Sequence, residues 1–183
     1  MPRVLVPLAE GCEELEAVTI IDLLRRAGIE VVTAGLAAGP VRASRGVVLL
    51  PDTTLDAVAD EDFDMVVLPG GLAGADHLDG DARIQHILRR TAQAGRYTAA
   101  ICAAPKVLAT AGVLDGKRAT GYPGVLERLS LPKTELLAQP VVTDGRVITS
   151  RGPGTAMDFA LELIERLLGK DRRDEVEHPL MRP

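Results

Sequence analysis

The chain has 183 residues, 46% of them hydrophobic, and a formal net charge of −5 at pH 7. That supplies one substantial core, so a single domain over residues 1–183 is expected. The acidic balance, with no basic block among aromatics, excludes the usual nucleic-acid binder, and no apolar run is long enough to span a bilayer as a helix.

The elements alternate along the chain. Val4 to Leu8 reads as a strand, and Glu14 to Ala27 as an amphipathic helix with Ala17, Ile20, Ile21, Leu24 and Ala27 on one face and Gly28 as its stop. Glu30 to Ala34 is a second strand, and Val41 to Leu50, broken at Ser44-Arg45-Gly46, has the pattern of a short hairpin. Asp64 to Leu68 is a strongly apolar strand running into Pro69-Gly70-Gly71, and the segment to Asp76 reads as a loop. Asp81 to Ala94 is a helix with Ile84, Ile87, Leu88 and Ala92 inward, stopped at Gly95. Tyr97 to Ile101 is a buried strand, Cys102 follows, and Ala103 to Ala109 reads as a helix opening. Val141 to Ser150 carries Asp144-Gly145 between apolar runs, a two-residue hairpin signal. Thr155 to Leu168 is the last long helix, entered through a Gly152-Pro153-Gly154 turn, and the charged tail from Lys170 is a short helix or a frayed end. Aromatics make up 2% and Trp is absent, so packing rests on Val, Leu, Ile and Ala, the palette of a parallel sheet under helices. The order specifies an α/β, doubly wound, mainly parallel sheet with helices on both faces and short antiparallel hairpins.

Ligands in such sheets bind beyond the carboxyl ends of the strands, which brings together the Ala9 to Glu13 loop, the Pro69 to Asp76 loop and Cys102. A thiol on a strand-to-helix corner flanked by Ala100 and Ala104 has the geometry of a nucleophile elbow, and a helix N-terminus there should ease its ionisation. The same segment also reads as an inert cysteine closing a core strand. Gly70-Gly71 lets backbone amides approach a ligand as an oxyanion hole, or simply makes a turn. Glu13 and Glu14 read as ordinary first-turn carboxylates. Glu16 shares its helical stripe with Ile20, Leu23 and Ala27, so it either points into apolar surroundings, where burial raises its pKa, or snorkels to water. The phosphate-loop spacing is absent, and no His and Cys cluster has metal-ligand spacing, so neither cofactor nor metal is expected. His86 and His178 read as surface groups, while His77 follows the glycine loop.

Four segments together are more specific than any one. Glu10-Gly11-Cys12-Glu13-Glu14-Leu15-Glu16, Leu68-Pro69-Gly70-Gly71, Ala99-Ala100-Ile101-Cys102-Ala103-Ala104-Pro105 and Thr149-Ser150-Arg151-Gly152-Pro153-Gly154-Thr155 resemble the motifs of the ThiJ/PfpI superfamily, and most closely its Parkinson-disease-protein (DJ-one) branch. The resemblance runs from Val4 to the Val176 to Leu180 region. It implies a flavodoxin-like fold, a homodimer, an oxidation-prone thiolate at Cys102, a protonated partner at Glu16, and amide donors at Gly71 and Ala103. It also implies a glyoxalase or deglycase acting on a small aldehyde or glycated protein. The alternatives are a redox-responsive chaperone with client proteins, in which Cys102 is a sensor, and a peptidase.

Departures from the family pattern narrow these expectations. Peptidase-like members place a histidine directly after the cysteine, where this chain has Ala103, and the Parkinson-disease branch has a histidine where this chain has Tyr122. Tyr122 is read as a pocket wall or a hydrogen-bonding group, and a poor base. Arg45 and Arg151 are candidates to hold anions or to pin loops. Cys12 is a second redox candidate, able to trap oxidised Cys102 as a disulfide if it lies close enough, and otherwise a small loop filler. With no signal-peptide pattern ahead of Val4 and no disulfide framework, a cytoplasmic location with reduced thiols is expected.

Overall fold

The alternation of side chains along the strands decides the architecture. In the computed structural model, which describes residues 1–183, Val4, Val6 and Leu8 of β1 (Arg3–Leu8) enter one apolar cluster and Leu5 another. The same split recurs further along the chain, as the period of two in a pleated strand demands. A sheet buried on both faces needs helices on both.

The chain supplies them by winding back and forth. After β1 come α1 (Glu14–Arg26) and β2 (Glu30–Gly35), then the small pair β3 (Val41–Arg42) and β4 (Val48–Leu49), the edge strand β5 (Thr53–Thr54) and one turn of helix, α2 (Leu55–Val58). The second half opens with β6 (Met65–Leu68), α3 (Leu72–Asp79), α4 (Ala82–Gln93), β7 (Tyr97–Ile101) and α5 (Pro105–Thr110). A short parallel pair, β8 (Arg118–Ala119) and β9 (Glu135–Leu136), precedes the hairpin β10 (Val141–Asp144) and β11 (Val147–Ser150), and α6 (Ala156–Leu168) and α7 (Lys170–Glu177) close the fold. The central sheet has the order β10-β11-β7-β6-β1-β2-β5, parallel except for β10 against β11. Met65 and Val67 of β6 and Ala99 and Ile101 of β7 join β1 on the face covered by α1 and α6. Val66, Leu68 and Ala100 pack on the other face, under α4 and α5.

Sequence and structure agree on the strands and long helices to within a residue or two. Gly28 ends α1 at φ +79, a left-handed geometry that glycine adopts without steric cost. Two readings change, and the open alternative for the tail resolves to a helix. The loop expected from Pro69 to Asp76 is helical from Leu72, forming α3. The helix after Cys102 starts at Pro105 rather than Ala103, because the chain must first turn through the elbow. The charged tail is ordered: α7 buries Val176, Leu180 packs against the same core, and Arg172 Nε donates to Ala27 O at 3.0 Å. No helix is long and apolar enough to cross a membrane.

Phe159 of α6 is the bulkiest fully buried side chain on the α1 face. Phe159→Ala is expected to lower unfolding free energy by about 3–5 kcal/mol, measured by urea denaturation, as a large cavity opens in a close-packed core.

Candidate active site

The parallel strands β1, β6 and β7 end at one edge of the sheet, and the loops leaving them build the site. Cys102 follows β7 directly and adopts φ +64, a left-handed conformation that costs a non-glycine residue energy and must be held from outside. The clamps are backbone bonds on both sides. Cys102 N–H donates to Ser150 O at 3.0 Å, Tyr122 N–H donates to Cys102 O at 2.8 Å, and Ala104 N–H donates to Ile101 O at 3.0 Å. The elbow therefore depends on β11 and the Tyr122 segment as much as on its own small residues.

Beneath the thiol lies Glu16, with no solvent exposure. Gly70 N–H donates to its Oε1 at 2.9 Å, Oε2 is buried without a hydrogen-bond partner, and the carboxyl interacts with the Cys102 thiol. A β-carbon on Gly70 would stand 2.6 Å from both Cys102 Cβ and Glu16 Oε1, so glycine is what allows acid and thiol to meet. Gly71 sits at φ +86, where a β-carbon would come within 2.7 Å of Glu13 N. Glu13 N–H in turn donates to Gly70 O at 3.0 Å, locking the first loop to the glycine loop.

Burial pushes the Glu16 carboxyl up to about 7, with the Gly70 amide and the Cys102 thiol partly offsetting it. The expected buried acid is therefore present. The eased ionisation expected of Cys102 is not. Burial and then the charge of ionised Glu16 push the thiol up to about 12, against the hydrogen bonds of the Gly71 and Ala103 amides to sulfur. The helix invoked for the opposite effect has six residues and begins three positions later, too short and too distant to offset desolvation. Where Glu16 keeps its proton, its charge no longer opposes the thiolate.

Above this pair opens a cleft of about 640 Å³, lined among others by Cys102, Gly71, Ala103, Tyr122 and Arg45. The structure thus brings these predicted residues together, with Glu16 and Gly70 in the layer below. Arg151 lies outside the cleft, lining a separate hollow with Leu126 and Leu136. His77 also faces elsewhere, its Nδ1 2.9 Å from Glu10 O. Cys12 is buried and does not line the cleft; burial, then Glu14, pushes its thiol up to about 12. Both cysteines are free. No grouping of three or more His, Cys, Asp or Glu side chains is arranged to hold a metal ion.

Glu13 and Glu14 do more than complement a dipole. Glu13 caps α1, accepting from Leu15 N–H at 3.2 Å. Glu14 is buried and accepts from Ser44 Oγ at 2.9 Å, from Arg45 N–H at 2.9 Å and from Val47 N–H at 3.3 Å. Burial works to raise its pKa, but these donors together prevail and hold it below the ordinary carboxylate range. Glu14 thereby fixes the cleft wall that carries Arg45, a role hidden from sequence because its partners lie about thirty positions away.

A strained cysteine elbow over a buried glutamate, at the carboxyl edge of a doubly wound sheet, defines a class of α/β proteins with a cysteine at the floor of the cleft. The profile of the DJ-1/PfpI family matches residues 2–166, and the chain belongs to that family. Protein dj-1beta of Drosophila melanogaster is 48% identical over 178 residues, covering 97% of this chain and 95% of that protein. The crystal structure of Drosophila melanogaster DJ-1beta superposes with a TM-score of 0.95 at 45% identity, covering 100% of this chain and 98% of that one. A Caenorhabditis elegans relative named glutathione-independent glyoxalase DJR-1.2 is 35% identical over 171 residues, covering 93% of this chain and 91% of that protein.

The sign of the Glu16 shift sets a pH test. A carboxyl whose folded pKa lies above its unfolded value of 4.5 destabilises the fold when it ionises. Stability should therefore fall as pH rises from about 4.5 to about 7, by roughly 3 kcal/mol, and level off above. Glu16→Gln should flatten that slope in urea denaturation measured across the same range.

Proposed function

We propose that this chain is a cysteine-dependent enzyme of small reactive carbonyls, of the glutathione-independent glyoxalase or deglycase type, working as one domain over residues 1–183. The observation that carries this reading is the fully buried Glu16 carboxyl packed with Cys102 against the same face of Gly70, at the floor of an open cleft. The C. elegans relative bearing the glyoxalase name supports it.

The reactive arrangement has the proton on Glu16 and the charge on sulfur, where the Gly71 and Ala103 amides favour it. The thiolate attacks the aldehyde carbon of a 2-oxoaldehyde; a carbon–sulfur bond forms and the carbonyl electron pair moves to oxygen. That oxygen takes up the Glu16 proton, giving a hemithioacetal, with the amides holding the developing oxyanion. Glu16, now a carboxylate, removes the hydrogen on that carbon as a proton and returns it to the neighbouring ketone carbon, while the hydroxyl proton of the first carbon passes to the former ketone oxygen. One carbon is oxidised and the other reduced without an external oxidant, leaving a thioester. Water adds to the thioester, the carbon–sulfur bond breaks, and a 2-hydroxy acid and the thiol are released. A carboxyl with a pKa near 7 suits both duties. In a protein deglycase, the same attack would fall on the carbonyl of an early glycation adduct.

A second reading, a redox-responsive chaperone with client proteins, draws on the unpartnered Glu16 Oε2, which as a protonated oxygen can donate to a Cys102 sulfinate. Cys12, buried and with a raised pKa, is a poor attacking thiol, so the sulfinate rather than a Cys12 disulfide is the expected product of peroxide. A Cys-His peptidase lacks its base in the cleft, since His77 is turned to Glu10 O.

A homodimer is part of the proposal. Val18 of α1 and Leu50 lie exposed, and with Ile21 and Leu49 they line one shared hollow rimmed by Asp22, Arg25 and Asp52. An apolar hollow with a charged rim has the make-up of a contact surface. Light scattering after size exclusion should give twice the 19.4 kDa chain mass, and Val18→Glu with Leu50→Glu should give monomers.

For the reaction, methylglyoxal loss and lactate gain are followed in parent, Cys102→Ala and Glu16→Gln proteins. Cys102→Ala should abolish turnover, and Glu16→Gln should lower kcat by about 100-fold or more, as expected for loss of a proton-transfer group. Equal turnover by the parent and Cys102→Ala would end the enzyme reading. Stoichiometric sulfinate with client protection and no turnover would favour the sensor.

A further inference from the structure

The parallel strands carry the Cys102 cleft at their carboxyl edge, and the opposite edge holds a second hollow of about 480 Å³. Three arginines from separate segments meet there: Arg96 before β7, Arg146 before β11, and Arg166 in the last turn of α6. Their meeting is unexpected in a chain whose net charge is −5. Tyr97 is the hub of the group. The Arg146 guanidinium lies over its ring at 4.4 Å, and Arg166 is within electrostatic reach of the same side chain.

Their donors are largely uncommitted. Arg146 makes no ion pair or side-chain hydrogen bond, so stacking alone orients its fork. Arg166 donates through Nε to Glu162 Oε1 at 2.7 Å, which leaves its two terminal nitrogens free. Arg96 places Nη1 3.3 Å from Asp62 Oδ1 and has its remaining donors unpaired. Asp64 is the one acid of the lining, and its Oδ2 already accepts from Arg3 N–H at 2.8 Å.

We propose that this hollow binds a small molecule bearing a diphosphate group. Guanidinium forks match phosphate oxygens two at a time, and three forks ask for more oxygens than one phosphoryl group offers. An apolar ligand would gain little against so polar a wall. A long nucleic acid would meet the repulsion of the chain's overall negative charge beyond the hollow. The site stands apart from Cys102, so its occupancy is independent of the carbonyl chemistry.

Calorimetric titration of the full chain at low salt, with inorganic pyrophosphate, ADP and adenosine, tests it. Pyrophosphate and ADP should bind saturably at one site and adenosine should not. Comparable affinities identify the diphosphate alone as the determinant, and tighter ADP identifies a nucleotide. Arg146→Ala and Arg166→Gln should each weaken binding about tenfold, as loss of a charged donor predicts, and Arg128→Ala, a distant exposed arginine, should not. Circular dichroism confirms that each variant is folded, and methylglyoxal turnover should be unchanged in all three. Absence of saturable pyrophosphate and ADP binding, or equal loss in Arg128→Ala, overturns the proposal.

Discussion

A carboxyl group buried with one oxygen unsatisfied is costly, and the surroundings of Glu16 answer to that cost. Holding its proton up to about pH 7 is one relief, and the single amide of Gly70 is another. The Cys102 thiol is the third, and it can sit there only because position 70 has no side chain. The glycine loop, the strained elbow and the first turn of α1 are thus parts of one packing problem. A change in any of them moves the acid relative to the sulfur.

The first turn of α1 shows how sharply environment separates identical side chains. Glu14 and Glu16 are both buried, two residues apart, yet their pKa values move in opposite directions. Glu14 faces a loop that offers it a hydroxyl and two amides, so its charge is solvated by protein and it serves as a post for the cleft wall. Glu16 receives one amide and a thiol, so its neutral form is favoured. Depth and hydrogen-bond donors together decide which acid stays ionised: Glu16 is fully buried with few donors, whereas Glu14 lies at the edge of the interior with three. The same competition governs the cysteine, where two amides do not outweigh desolvation and a neighbouring carboxylate.

Two sheet edges divide the molecule by chemistry. At the carboxyl edge, loops after β1, β6 and β7 converge on a cleft of mixed polarity with the buried Glu16 carboxyl below it. At the amino edge, arginines from three segments gather round Tyr97. A parallel sheet makes both possible, since it aligns strand ends from distant parts of the chain.

Much of this architecture is legible in the amino-acid sequence. The short apolar runs of β1, β6 and β7, the apolar stripe of α1 with Gly28 behind it, and the Asp144-Gly145 turn are local signals strong enough to specify element type, and their order specifies the doubly wound sheet. The small residues around Cys102 and the stripe position of Glu16 marked the two groups that meet. The helix α3 is not legible in the sequence because it is eight residues long and contains Gly74, a poor helix former kept there because a β-carbon would stand 2.6 Å from Cys12 Cα. The post formed by Glu14, the direction of the Cys102 shift and the convergence of Arg96, Arg146 and Arg166 belong to the tertiary structure alone. Each depends on desolvation or on partners far away in sequence, and neither quantity exists until the chain has packed.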